Sequence, residues 1–147
     1  MTRMMHSKAS ELKEFGNDCF KKNDFDGAIN AYTKVIDVLD DNKNDLDNDT
    51  LNIIRVCLSN RALCYRKLKS YNYAIRDCQL ALDIDENFLK ALYTKALCLY
   101  DTECYDESFA SFKRYQNNMG SSCPNEIQKY IQKCISKMDD NVTILPS

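Results

Sequence analysis

One interval constrains this chain more than any other feature: 34 residues. Ala62 recurs as Ala96, Leu58 as Leu92, Tyr71 as Tyr105 and Ala74 as Ser108, each pair 34 positions apart. The stretch "LKEFGNDCFKKNDFDGAINAY" carries the pattern a third time. There Gly16, Phe25 and Ala28 stand 46 positions ahead of Ala62, Tyr71 and Ala74, which is one period plus an insertion of 12. Self-similarity at such a period marks stacked supersecondary units, none of which can bury its apolar face alone.

Each unit reads as two helices. A small residue in the first helix (Gly16, Ala62, Ala96) lets a neighbour approach closely. An aromatic (Phe25, Tyr71, Tyr105) follows the turn, and a second small residue (Ala28, Ala74, Ser108) comes three positions later. At Gly16 this arrangement accepts about 1 kcal/mol of lost helix propensity in exchange for close packing. The spacing predicts helix pairs near 8–22 with 25–39, 50–68 with 71–84, and 88–101 with 105–118. Pro124 suits a helix start. From there "PNEIQKYIQKCISKM" places Ile127, Tyr130, Ile131, Cys134, Ile135 and Met138 on one apolar face. This predicts a capping helix over 124–138 that covers the last repeat. Three glycines and two prolines in 147 residues leave little turn chemistry for a β fold. The expected architecture is therefore all-α, a single domain over 8–138. A flexible arm is expected at 1–7, a solvated acidic insertion at 40–49 and a tail at 139–147.

The composition excludes several function classes. A net charge of −2 does not suit sequence-independent binding to nucleic acid, which needs a broad basic surface. No apolar run approaches the roughly 20 residues of a membrane-spanning helix. The one histidine, His6, lies in the arm, and the body has no glycine-rich phosphate loop or nucleophile elbow. No catalytic residue and no cofactor is expected. The eight cysteines are scattered without a Cys-x-x-Cys pair, which does not suit a zinc site. Most fall at apolar helical positions, as reduced buried thiols of a cytoplasmic protein would.

In these positions the chain resembles the tetratricopeptide repeat (TPR), a 34-residue helix–turn–helix, over repeats at about 9–40, 55–87 and 89–118. The resemblance implies a right-handed superhelix, an α-solenoid of three helix pairs, with a concave wall built from the first helix of each pair. It also extends to one type of TPR domain, the carboxylate clamp that binds the Glu-Glu-Val-Asp tails of the 70- and 90-kDa heat-shock chaperones. That type carries Leu-Lys-x-x-Gly-Asn in its first helix, Asn-Arg-Ala in the third and Lys-Ala-Leu-Tyr-Arg-(Arg/Lys)-Ala in the fifth. This chain has Leu12-Lys13-Glu14-Phe15-Gly16-Asn17, Asn60-Arg61-Ala62 and Lys90-Ala91-Leu92-Tyr93-Thr94-Lys95-Ala96.

Lys13, Asn17, Asn60 and Lys90 thus match four of the five clamp positions, while Thr94 replaces the usual arginine. Lys95 is turned roughly 100° away around the helix. The resemblance implies charge-assisted hydrogen bonds from Lys13 and Lys90 to carboxylates, and directed neutral donors in Asn17 and Asn60. Phe20 and Leu63 are expected to border a pocket for the penultimate apolar side chain. Thr94, Lys95, Arg66 and Lys67 are possible accessory contacts, with Arg61, Arg66 and Lys67 expected mainly at a solvated rim. The expected partner is a chaperone tail, bound by a monomer, with neither nucleic acid nor membrane insertion. Two alternatives stay open: a structural TPR scaffold that binds internal peptides or a dedicated partner with the clamp unused, and the targeting part of a longer enzyme.

Overall fold

The computed structural model describes residues 2–40 and 47–143. Its described residues form seven α-helices and no strand: α1 (Thr2–Lys21), α2 (Phe25–Asp40), α3 (Asn48–Lys67), α4 (Tyr71–Ile84), α5 (Leu89–Asp101), α6 (Tyr105–Met119) and α7 (Asn125–Thr143). A short 3₁₀ turn, Gly120–Ser122, joins the last two. Helices pack in chain order, α1 on α2, α3 on α4 and α5 on α6, while α2–α3, α4–α5 and α6–α7 contacts stack the pairs. Direct α1–α3 and α3–α5 contacts bring the first helices side by side in one layer, which is the expected helical solenoid.

The turn within each pair is built the same way three times. Asn23, Lys69 and Glu103 all adopt left-handed backbone, with φ of 62°, 61° and 63°. In each case the next amide reaches back to close the helix end: Asp24 N to Cys19 O, Ser70 N to Tyr65 O and Cys104 N to Leu99 O, all 2.8 Å. This capping satisfies carbonyls that the helix would otherwise leave open. The aromatics Phe25, Tyr71 and Tyr105 then begin the second helices. Ala28, Ala62, Ala74, Ala96 and Ser108 are each 0% exposed, at the contacts where paired helices touch. Ser108, which stands where the other repeats have alanine, donates to the Ala96 carbonyl at 2.8 Å, so its hydroxyl is not left unpaired in the core.

One apolar cluster runs from Ala9 through the first two repeats to Cys98. A second joins Ala96, Leu97 and Phe112 to Ile127, Ile131 and Cys134 of α7. The seventh helix thus covers the open apolar side of the third repeat through the face expected from its spacing.

Three expected boundaries need correction. Residues 2–7 are not a separate arm, since α1 begins at Thr2. His6 Nε2 lies 2.8 Å from Thr50 Oγ1, and Ala9 is fully buried, so the extra turns dock on the start of α3. The last helix does not stop at 138: it runs to Thr143, through part of the expected tail, because no glycine or proline interrupts it there. Of the acidic insertion 40–49, Asp40 ends α2, and Asp47 caps α3 by accepting from Thr50 N at 2.8 Å. Residues 41–46, and 144–147 of the tail, lie outside the described residues.

Candidate functional site

Lys13, Asn17 and Lys21 follow one another at four-residue intervals, so they form one stripe along α1. On α3, Asn60, Leu63 and Lys67, three and four residues apart, share one face. Between the two helices lies a hollow of about 210 Å³, lined by Asn17, Phe20, Lys21, Tyr32, Asn60 and Leu63. Asn17 and Asn60, 43 residues apart in the chain, meet there: Asn60 Nδ2 reaches Asn17 Oδ1 at 3.5 Å. Phe20 and Leu63 supply the apolar part of the wall.

The floor comes from the second helix of the first pair. Tyr32 of α2 is 1% exposed, and its hydroxyl donates to Asn17 Oδ1 at 2.5 Å. The ring passes over Gly16, where an added Cβ would sit 2.8 Å from Tyr32 Cε1. Gly16 therefore makes room for one particular side chain. Burial, followed by the nearby Cys64 and Cys57 thiols, pushes the Tyr32 phenol far above its ordinary range. The hydroxyl stays protonated at any physiological pH and remains a donor.

The other expected site residues are placed as follows. Lys13 is half-buried and outside the lining of the hollow. Its positive charge works against the burial that pushes the Cys57 thiol of α3 up to about 11. Lys90 is exposed at the start of α5, also outside the lining. Thr94 is only 2% exposed and offers the groove no accessible side chain, which corrects its expected accessory role. Lys95 is corrected too: Nζ donates to Gln79 Oε1 of α4 at 2.8 Å, which turns it toward a second-layer helix.

Arg66 crosses from α3 to α5, where Nη2 lies 3.6 Å from Asp101 Oδ2. Its charge also acts on Cys98, Tyr93 and Tyr130, and its Nε is buried without a hydrogen-bond partner. Lys67 is exposed at the end of α3. Arg61 is not a rim residue. It grips Asp77 of α4 through two bonds of 2.7 and 2.8 Å and Thr33 of α2 through a third of 3.0 Å, tying the first two repeats together.

Two lining residues escaped the sequence reading. Lys21 continues the four-residue stripe of Lys13 and Asn17, and that spacing was a usable signal. For Tyr32 the signal was weaker: a glycine in a helix calls for a bulky neighbour opposite, but nothing local says which. Together the lining offers two amides and an ammonium beside an apolar patch, a set suited to a carboxylate next to an apolar side chain. Among the described residues no group of three or more His, Cys, Asp or Glu side chains could hold a metal ion. No described helix is long and apolar enough to cross a membrane.

A family model described as Tetratricopeptide repeat matches residues 56–88. The E3 ubiquitin-protein ligase CHIP of Arabidopsis thaliana is 32% identical over 114 residues, covering 78% of this chain and 37% of the ligase. The chain spans between 10% and 37% of the length of this and other curated relatives it matches. Among solved structures, the first TPR of Spaghetti (RPAP3) bound to the HSP90 peptide SRMEEVD is similar at 27% identity with a TM-score of 0.75. That likeness covers 90% of this chain and 97% of the other. The TPR2B domain of yeast Sti1, solved as its pHsp70 complex, is similar at 28% identity with a TM-score of 0.73, over 89% of this chain and 98% of that one.

Proposed function

From the premise that this chain carries a tetratricopeptide repeat at residues 56–88 and folds as a TPR helical solenoid, we propose that it is an adaptor for the acidic C-terminal tail of a 70- or 90-kDa heat-shock chaperone. The observation that carries this reading is the meeting of Asn17 and Asn60 in one hollow walled by Phe20 and Leu63. The SRMEEVD peptide held by the similar RPAP3 domain has the complementary chemistry, a terminal carboxylate preceded by valine and by two glutamates.

In this reading Asn17 and Asn60 donate to the terminal carboxylate, with the Lys13 charge beside them. Phe20 and Leu63 border the valine, and Lys90 approaches a carboxylate from the open side of the groove. Thr94 is buried and takes no part. Arg66 reaches α5 from α3, where Asp101 holds it at 3.6 Å, and with the exposed Lys67 it would serve the glutamates upstream. The protein would act as a cytosolic monomer.

Isothermal titration tests the reading with peptides ending in Glu-Glu-Val-Asp, taken from both chaperone classes. Micromolar affinity is expected for the free acid, weakening with salt because the groove is open to solvent. Lys13→Ala removes a charge-assisted contact and should lower affinity about 10-fold or more. No heat up to millimolar peptide would refute the reading. Thr94 burial and the position of Lys90 outside the lining favour one second reading, a scaffold that binds internal peptides. C-terminal amidation of the test peptide separates the two, since it abolishes tail capture and leaves internal-peptide binding unchanged.

A further inference from the structure

Asn17 has an amide with two chemically opposite ends, and a carboxylate ligand tolerates only one of them. Presented as Nδ2–H₂, the side chain donates; presented as Oδ1, it repels. Among the described residues no hydrogen bond within α1 chooses between these orientations. The choice is made by α2, with a longer contact from α3. The hydrogen bonds of the Asn17 side chain among the described residues both end on Oδ1, one from the Tyr32 hydroxyl at 2.5 Å and one from Asn60 Nδ2 at 3.5 Å. With the oxygen held against the floor, Nδ2 is the end left to the hollow.

We infer that Tyr32 is a positioning residue of the binding site: its hydroxyl, carried over Gly16 by α2, locks the Asn17 amide with its donor end facing a ligand carboxylate. This rests on the carboxylate-capture reading above and adds to it a residue outside the first-helix layer. Two further observations support the lock. Tyr32 is 1% exposed, so bulk water has little access to its hydroxyl, and a phenol is protonated at neutral pH and keeps its donor. The absence of a side chain at Gly16 leaves the ring in contact with the α1 backbone, one residue from the asparagine it orients. The glycine thus serves the site as well as the packing.

Tyr32→Phe tests the inference, because the ring still fills its place while the donor is lost. The readout is the ratio of affinities for one Glu-Glu-Val-Asp peptide as free acid and as C-terminal amide, measured by titration calorimetry on the whole chain. Wild type is expected to prefer the acid. In Tyr32→Phe the acid should bind about 10-fold more weakly, the worth of one charge-assisted hydrogen bond, with the amide unchanged. An equal drop for both peptides would assign Tyr32 to packing alone and overturn the inference, as would an unchanged ratio. A wild-type protein that binds acid and amide equally would overturn the tail-capture reading, and with it the role of Tyr32. A second measurement needs no variant. The Asn17 side-chain amide resonance of wild type should shift on adding the acid peptide and stay in place on adding the amide peptide; identical shifts with both would overturn the inference.

Discussion

Gly16→Ala asks whether the glycine answers to the helix or to the ring beside it. In an exposed helix the substitution stabilises by about 1 kcal/mol, because alanine has the higher helix propensity. Here the new Cβ would lie 2.8 Å from Tyr32 Cε1 and 3.1 Å from Cδ1 and Cζ. Those atoms belong to a rigid ring that is 1% exposed and tied by its hydroxyl to Asn17, so it has no free end to swing aside. Overpacking of this kind costs about 1–3 kcal/mol, and three close contacts to one ring argue for the upper part of that range. After subtracting the propensity gain, the net loss is about 1–2 kcal/mol. For a chain of this length that lowers Tm by roughly 2–8 °C. Urea unfolding followed by circular dichroism measures it directly. A double-mutant cycle with Tyr32→Leu should show favourable coupling on the order of 1 kcal/mol, because a smaller side chain gives the new methyl room. A more stable Gly16→Ala protein, with no coupling to position 32, would show that the ring does not lie over the glycine.

The remaining predictions are independent of that contact. Thr94→Arg, made to restore the usual clamp arginine, should lower stability by about 1–3 kcal/mol in denaturant melts and leave tail affinity unimproved, because the position is 2% exposed and has no room for a guanidinium. Asp77→Ala should cost about 3 kcal/mol in the same assay. It strands the Arg61 guanidinium between helices, with 15% of that side chain exposed. Lys69→Gly should raise stability by about 0.5–1 kcal/mol, since the turn holds this residue at φ 61°, where a Cβ is strained. Thiol labelling of the native protein at pH 8 should modify the exposed Cys104 first. Burial pushes Cys57 up to about 11 and Cys64 up to about 12. Both therefore stay protonated below that range, with on the order of 0.1% thiolate or less at pH 8, and should react only on unfolding.

The candidate site was read from the resemblance of three helix segments to the carboxylate-clamp type, which implied Asn17 and Asn60 as ligand contacts and Phe20 and Leu63 as a pocket border; the four line one hollow in the structure. Helical spacing and repeat phase placed the helices that carry them. The same arithmetic predicts the 34-residue step between the turn residues Lys69 and Glu103, and the step of 46 from Asn23. It fails where a long side chain chooses its own partner. Lys95 was weighed as a groove residue, yet its four-carbon stem carries the ammonium to Gln79. Arg61 was expected in solvent, yet it bridges three helices, because the guanidinium fork finds Asp77 and Thr33 within reach. The extension of α1 to Thr2 was invisible because His6 gains its partner from Thr50, 44 residues away.

What the sequence determined by itself was the one-dimensional order: three two-helix units in phase, small residues at the crossings, an aromatic after each turn and a final helix with one apolar face. Repeat architecture follows from local patterns and neighbour contacts, and both are written in the spacing. What only the tertiary structure decided was how polar atoms end up oriented. Which end of the Asn17 amide faces the hollow depends on bonds to its oxygen from two other helices, one from the Tyr32 hydroxyl carried over Gly16 and one from the Asn60 amide. Spacing places a side chain on a face of a helix; packing against a neighbouring helix determines which of its atoms faces the solvent.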